Sequence, residues 1–146
     1  MGVKNIFKRY ELKFMLTTQQ YIQLKELMKK YMQGDEFGKS TICNLYFDTP
    51  DYLLIRHSIE KPVYKEKLRL RSYGTPKNDS TVFAELKKKY KSVVYKRRIG
   101  MSEQDAMKFL CERNPVKDTQ ITREIDYFLN FYNNPKPTVY LSYERE

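Results

Sequence analysis

The sequence predicts an α+β domain: a mostly antiparallel sheet with helices packed against one of its sides. Two observations carry this. The first is alternation in three consecutive segments between residues 64 and 99, where strand side chains point to opposite faces with period two. In YKEKLRLRSY, Lys65, Lys67, Arg69, Arg71 and Tyr73 share one face, and Leu68 and Leu70 the other. In VFAELKK, Glu85 and Lys87 stand opposite Val82, Ala84 and Leu86; in VVYKRRI, Lys96, Arg98 and Val94 stand opposite Val93, Tyr95 and Ile99. The second observation is helical spacing of apolar residues elsewhere in the chain.

In chain order, residues 7–16 (FKRYELKFML) alternate, with Arg9, Glu11 and Lys13 on one face and Tyr10, Leu12 and Phe14 on the other. They predict a first strand. Thr17 or Thr18 then caps a helix to about position 32, whose apolar positions are Tyr21, Leu24, Leu27, Met28 and Tyr31. Gly34 and Gly38 bracket a loop, STICNLYFDTP is a second strand closed by Asp48 and Pro50, and DYLLIRHSI is a short helix. The three basic strands follow, separated by GTPKNDS and YKS, turns of hairpin length. Ser102 and Asp105 open a helix to about position 113. Pro115 interrupts the chain, a last helix covers about 118–132 with Ile121, Ile125, Phe128, Leu129 and Tyr132 on one side, and TVYLSYERE is a sixth strand.

The length of 146 residues suits one domain spanning 1–146, and a hydrophobic fraction of 40% excludes a disordered basic tail. With 28 Lys and Arg against 18 Asp and Glu, the formal charge of +10 favours an anionic partner. Cys43 and Cys111 are too few for a disulfide framework or a zinc site and fit reduced thiols. No apolar run approaches the roughly 20 residues of a membrane span. No signal-peptide core is present, and position 6 is Ile, which breaks the myristoylation pattern. A cytoplasmic protein is the expectation.

Each predicted strand in the first two-thirds of the chain has one apolar and one charged face. The helices would cover the apolar side, leaving the charged side either in water or turned inward around a polar cavity. Charge runs usually face solvent. Arginines at strand centres, and Glu85 two residues from Lys87, count towards the cavity without deciding between the two.

Four motifs in order, RYELKF, NLYFDTPDYLLIRHSIEKPVYKEKLRLRSYG, FAELKKKYKSVVYKRRI and VYLSYERE, resemble the vacuolar transporter chaperone (VTC) domain in its bacterial form, within the triphosphate tunnel superfamily that includes the CYTH enzymes. The resemblance implies an antiparallel β-barrel whose charged interior forms a tunnel, with helices outside. It implies polyphosphate polymerase activity, in which the γ-phosphoryl group of ATP passes to a growing polyphosphate chain with a divalent metal, Mn²⁺ or Mg²⁺. Carried over by motif, the phosphate-binding positions are Lys13, Arg69, Arg71, Lys87, Lys96, Arg98, Tyr143 and Arg145, of which Arg69, Arg71, Lys87, Lys96 and Arg98 are the catalytic candidates. Glu85 is a candidate metal ligand or an ion-pair partner of Lys87 or Lys96. Glu11 is expected in an ion pair, His57 in loop or helix-end packing, and Tyr64, Tyr73 and Tyr95 in barrel structure. Arg and Lys clamps suit phosphoryl transfer, which needs positioning and charge stabilisation above all.

The chain reaches Glu146 just after the Tyr-x-Arg motif, whereas the family continues with further strands that carry an arginine, the principal metal-binding glutamate and a late lysine. The expectation is an incomplete barrel of about six of the family's roughly eight strands, completed by a second chain if at all, which leaves activity of this chain alone open. Two other readings stand beside the polymerase. One is a CYTH-like triphosphatase or nucleotide cyclase; the other is a non-catalytic module binding polyphosphate, nucleotide or RNA. Nucleic acid is not the expected partner, because stacking tyrosines mostly fall off the cationic face.

Overall fold

The computed structural model describes residues 6–146 apart from positions 10, 11, 35, 37, 92 and 115, and of residues 6–9 the backbone alone. Six strands form one sheet: β1 (Ile6–Arg9), β2 (Ser40–Asp48), β3 (Tyr64–Tyr73), β4 (Thr81–Tyr90), β5 (Val93–Ser102) and β6 (Lys136–Arg145). Their order is β1-β5-β4-β3-β2-β6, and every neighbouring pair is antiparallel. The sheet is open, with β1 and β6 at its two edges. Four helices complete the fold: α1 (Thr18–Met28), α2 (Leu53–Ile59), α3 (Glu103–Glu112) and α4 (Gln120–Phe131). Among the described residues no helix is long and apolar enough to cross a membrane.

β1 pairs with β5 over Ile6–Arg9, where Arg9 meets Val94. Leu12, Lys13 and Phe14, which the alternation predicts in the same strand, lie outside the sheet and are exposed. Tyr10, Glu11 and Pro115 lie outside the described residues.

Local chemistry accounts for the helix starts. Thr17 and Gln20 form a reciprocal capping box on α1, and Thr119 and Thr122 do the same on α4. Ser102 Oγ accepts from the Asp105 amide and donates to the Asp105 carboxylate, opening α3. For α2 the cap comes from the preceding strand. Asp48 accepts from the amides of Thr49 (2.8 Å), Leu54 (2.9 Å) and Ile55 (3.0 Å), and Thr49 Oγ1 accepts from Leu53. The residues that end β2 therefore also start α2, satisfying amides that no helical carbonyl can reach.

The core occupies one face of the sheet. Leu68, Leu70, Val82, Ala84, Leu86 and Phe47 meet Leu54 of α2, Ala106, Phe109 and Leu110 of α3, and Ile125, Phe128 and Leu129 of α4. Polar residues that share this face lean to its margin, where Arg97 and Lys88 reach Glu124 of α4 and the Tyr132 hydroxyl donates to Glu66. Helix α1 takes no part: it buries no residue, and Tyr21, Leu24 and Leu27 are exposed. Instead Tyr21 and Lys25 both bond the Glu146 carboxylate. His57 is exposed in the last turn of α2.

With three helices holding one face, the opposite face of β2–β5 is fixed in register and free to carry charge. Truncating Phe128, which is buried between α4 and the sheet, is expected to cost about 3–5 kcal/mol in urea unfolding, whereas truncating the exposed Leu27 of α1 should cost under about 0.5 kcal/mol. Equal losses would mean that α1 belongs to the core.

Candidate functional site

Strand register, not sequence proximity, assembles the site. Across the middle of the sheet, Tyr46 on β2 pairs with Arg69 on β3, Arg69 with Glu85 on β4, and Glu85 with Arg98 on β5. Directly paired residues share a face, so these four side chains form one row. The next row towards one end contains Asn44, Arg71, Phe83 and Gly100; the next towards the other contains Lys67, Lys87 and Lys96.

Glu85 is the centre. It is 0% exposed, and its two carboxylate oxygens face four cations. Oε2 lies 2.7 Å from both Nε and Nη2 of Arg69 and 3.9 Å from Nε of Arg71. Oε1 lies 2.6 Å from Lys96 Nζ and 3.8 Å from Arg98 Nε. The surrounding groups hold the cations in turn. Arg69 also donates to the Tyr46 hydroxyl at 3.1 Å, and Arg71 donates to Asn44 Oδ1 at 2.9 Å and to the Tyr143 hydroxyl at 3.4 Å.

Arg98 is held differently. Its guanidinium lies 3.5 Å above the Phe83 ring and 6.0 Å from the Tyr73 ring, and its buried Nε has no hydrogen-bond partner. Phe83 has space for this because Gly100 sits beneath it: a Cβ at that position would come within 3.2 Å of the ring. Arg98 is thus oriented by aromatic faces and keeps donor capacity unspent.

The electrostatics follow from burial. Desolvation pushes the Glu85 carboxyl up, but the charges of Arg69, Lys96 and Arg71 and the Lys96 hydrogen bond outweigh it and hold the group below its ordinary range. Burial likewise pushes the Lys96 ammonium down. Glu85 opposes that shift, Arg69 and Arg98 reinforce it, and the net direction is down. Arg69 is lowered by burial but raised by Glu85 and Tyr46, and the net direction is up. One carboxylate among four cations leaves three positive charges in a partly dehydrated patch, where they act more strongly than in water.

Of the residues singled out in the sequence, Arg69, Arg71, Lys96 and Arg98 lie around Glu85. Lys87 is level with Lys67 and Lys96 on the same face. Tyr143 joins through Arg71. Arg145 does not reach the cluster: it is exposed near the end of β6, paired with Ser40. Lys13 does not reach it either, lying beyond β1. Asn44, Tyr46, Phe83 and Gly100 were not singled out. Alternation within STICNLYFD puts Asn44 and Tyr46 on one face, and a polar Asn in an apolar strand was the available signal. Three tyrosines, Tyr46, Tyr73 and Tyr143, share the cationic face, and two of them bond its arginines through their hydroxyls.

Glu85 does not fit a divalent metal. Hard cations take several oxygen ligands, whereas both oxygens of Glu85 are committed to cations that would repel a dication. Among the described residues no three His, Cys, Asp or Glu side chains group together.

A profile of the VTC domain matches residues 8–146. Among solved structures, a candidate adenylate cyclase from Bacillus halodurans is similar, with a TM-score of 0.59 and 17% identity over 98% of this chain. That match covers 65% of the other chain, so this chain spans just under two-thirds of its length. At that identity the likeness establishes a shared fold. No match is found among curated proteins.

Because the folded-state value of Glu85 is depressed, its stabilisation is complete above its ordinary value of 4.5 and is lost as pH falls through the lower folded-state value. Glu85→Gln is expected to cost about 3–5 kcal/mol near neutral pH, the penalty of stripping buried charges of their partner. The variant should also lose the acid-dependent part of the wild-type stability curve. Urea titrations of both proteins at neutral and acidic pH measure this, and equal stability at neutral pH would show that Glu85 does not hold the cluster.

Proposed function

This chain belongs to the VTC domain family, and on that premise we propose that its cationic face binds the triphosphate of ATP and serves transfer of the γ-phosphoryl group to a growing polyphosphate chain. The observation that carries the reading is the cluster itself, four cations gathered by a single buried carboxylate. Glu85 fixes the guanidiniums of Arg69 and Arg71 before any ligand arrives. Arg98, through the outer nitrogens of its guanidinium, and Lys96 supply donors for incoming phosphate oxygens. Lys67 and Lys87 extend the charge along the strands.

The chemistry asks little else of the protein. A terminal oxygen of the polyphosphate, anionic at neutral pH, attacks the γ-phosphorus. The bond from that phosphorus to the β–γ bridging oxygen breaks, and its electron pair leaves with ADP. No proton has to be removed from the nucleophile, so a face of Arg and Lys without a general base suffices. Its contribution is to spread and stabilise the charge on the transferring group. Mn²⁺ or Mg²⁺, which the family resemblance implies, would need carboxylate ligands other than Glu85. If water replaces the polyphosphate terminus, the same clamp serves a triphosphatase, and without turnover it serves a polyanion-binding module.

The test is incubation of the protein with ATP and Mn²⁺ or Mg²⁺, followed by detection of long-chain polyphosphate. Phosphate release without polymer would replace the polymerase reading with the triphosphatase, and binding without turnover would leave the module. For the clamp, Arg98→Ala is expected to weaken tripolyphosphate binding at least about tenfold, the scale set by losing one desolvated charge contact. Because Arg98 also stacks on Phe83, urea unfolding of the variant checks that it is folded before binding is read. Unchanged affinity would remove this face from the binding site.

A further inference from the structure

The helices leave one end of their own side of the sheet uncovered. Near the β4–β5 turn, Tyr64 pairs with Tyr90 and Tyr90 with Val93, and the next row holds Glu66, Lys88 and Tyr95. Helix α4 stands beside these rows, anchored by the Tyr132 hydroxyl, which donates to Glu66 at 2.9 Å. Its Tyr127 and Phe131 rings stack at 6.0 Å, and Phe131 meets Tyr132 edge-on at 4.9 Å. Val63 joins the same area, since its carbonyl accepts from the Lys91 amide of the turn at 3.0 Å. Val63, Tyr64, Tyr90, Tyr95, Tyr127 and Phe131 are each 42–67% exposed. We infer that this aromatic patch is an interface between two copies of the chain, packed back to back with both cationic faces outward.

Charge selects the occupant. The chain carries +10, so two copies repel wherever unbalanced cations face each other. At this patch they are balanced. Lys88 and Arg97 lie 3.9 Å and 3.4 Å from Glu124, and Glu66 is the second carboxylate. Lys91, 5.4 Å from the Tyr90 ring, stands at the rim, where interfaces are polar. An anionic membrane gains little from a neutral patch and is drawn to the opposite face, where three positive charges are unbalanced. The area agrees. An aromatic side chain presents about 150–250 Å², so at this exposure the six residues offer roughly 600 Å² together. That is the upper end for a patch on a monomer, about 300–600 Å², and two copies would bury about 1,200 Å², enough for a specific interface at the low end of size. The α4 rings and the strand-end rings lie side by side, so a two-fold axis between them sets each group against the other copy's opposite group, as an isologous contact requires.

The experiment is sedimentation velocity over a concentration series. Wild-type protein is expected to sediment as a reversible monomer–dimer system. Tyr127→Glu/Phe131→Glu, which places carboxylates at exposed positions of α4, should raise the dimer dissociation constant at least about tenfold, the scale of losing an aromatic anchor. Val63→Glu, on the strand side of the same patch, should do the same without touching α4. Circular dichroism and urea unfolding confirm that each variant is folded. Leu27→Glu, on the exposed apolar side of α1, should leave the dimer intact. A monomer at every concentration overturns the inference, as does a dimer that survives both patch variants. A dimer lost in Leu27→Glu but kept in the patch variants gives the interface to α1 instead. Monomeric protein that floats with phosphatidylcholine–phosphatidylserine vesicles, and loses this with Tyr127→Glu/Phe131→Glu, gives the patch to a membrane and likewise overturns the dimer.

Discussion

A carboxylate with no exposure to water cannot stay charged alone, and Glu85 is the constraint around which this sheet is arranged. Desolvating an ion costs several kcal/mol, recovered only through close opposite charge and full hydrogen bonding. Here Arg69 and Lys96 supply the close contacts, at 2.7 Å and 2.6 Å. Replacing such a cluster by apolar side chains often leaves a fold as stable or more so. Its presence is therefore poor evidence of a stability device and better evidence of a device for placing cations.

Placement depends on the other side of the sheet. Every residue of the cluster sits on the face opposite Leu68, Leu86 and Ala84, which lie under α3 and α4. A slip of one residue in any strand would exchange the two faces, burying lysines under α4 and exposing leucines. The apolar core thus fixes register, and register brings Tyr46, Arg69, Glu85 and Arg98 into one row. Gly100 shows how closely that row is fitted, since a Cβ at position 100 would come within 3.2 Å of the Phe83 ring and press on it.

Alternation is why much of this was readable beforehand. The three central strands and their faces follow from parity alone, and Ser102 and Thr17 announce their helices by type and position. What parity does not encode is whether an amphipathic helix finds a surface: α1 has the apolar spacing of a core helix but buries nothing. In the site, the cations were legible as a pattern, but their supports were not. Asn44, Tyr46 and Phe83 act through contacts between strands distant in sequence, and the commitment of Glu85 to ion pairs rather than to a metal is a matter of distances.

The arrangement also bears on how a polyanion is held and then released. A patch of cations without a counter-ion would repel itself apart and would have to reorganise when ligand arrives. Glu85 removes that cost, since Arg69 and Arg71 are already fixed by it and by Tyr46 and Asn44. Preorganised donors of this kind stabilise developing charge without paying for reorientation at the moment of reaction. The same carboxylate limits affinity, because it neutralises one of the four charges and repels phosphate oxygens that approach closely. A site that must bind a highly charged chain and also let it move gains from both effects. One buried glutamate among four cations is therefore an economical way to combine rigid donors with moderate hold.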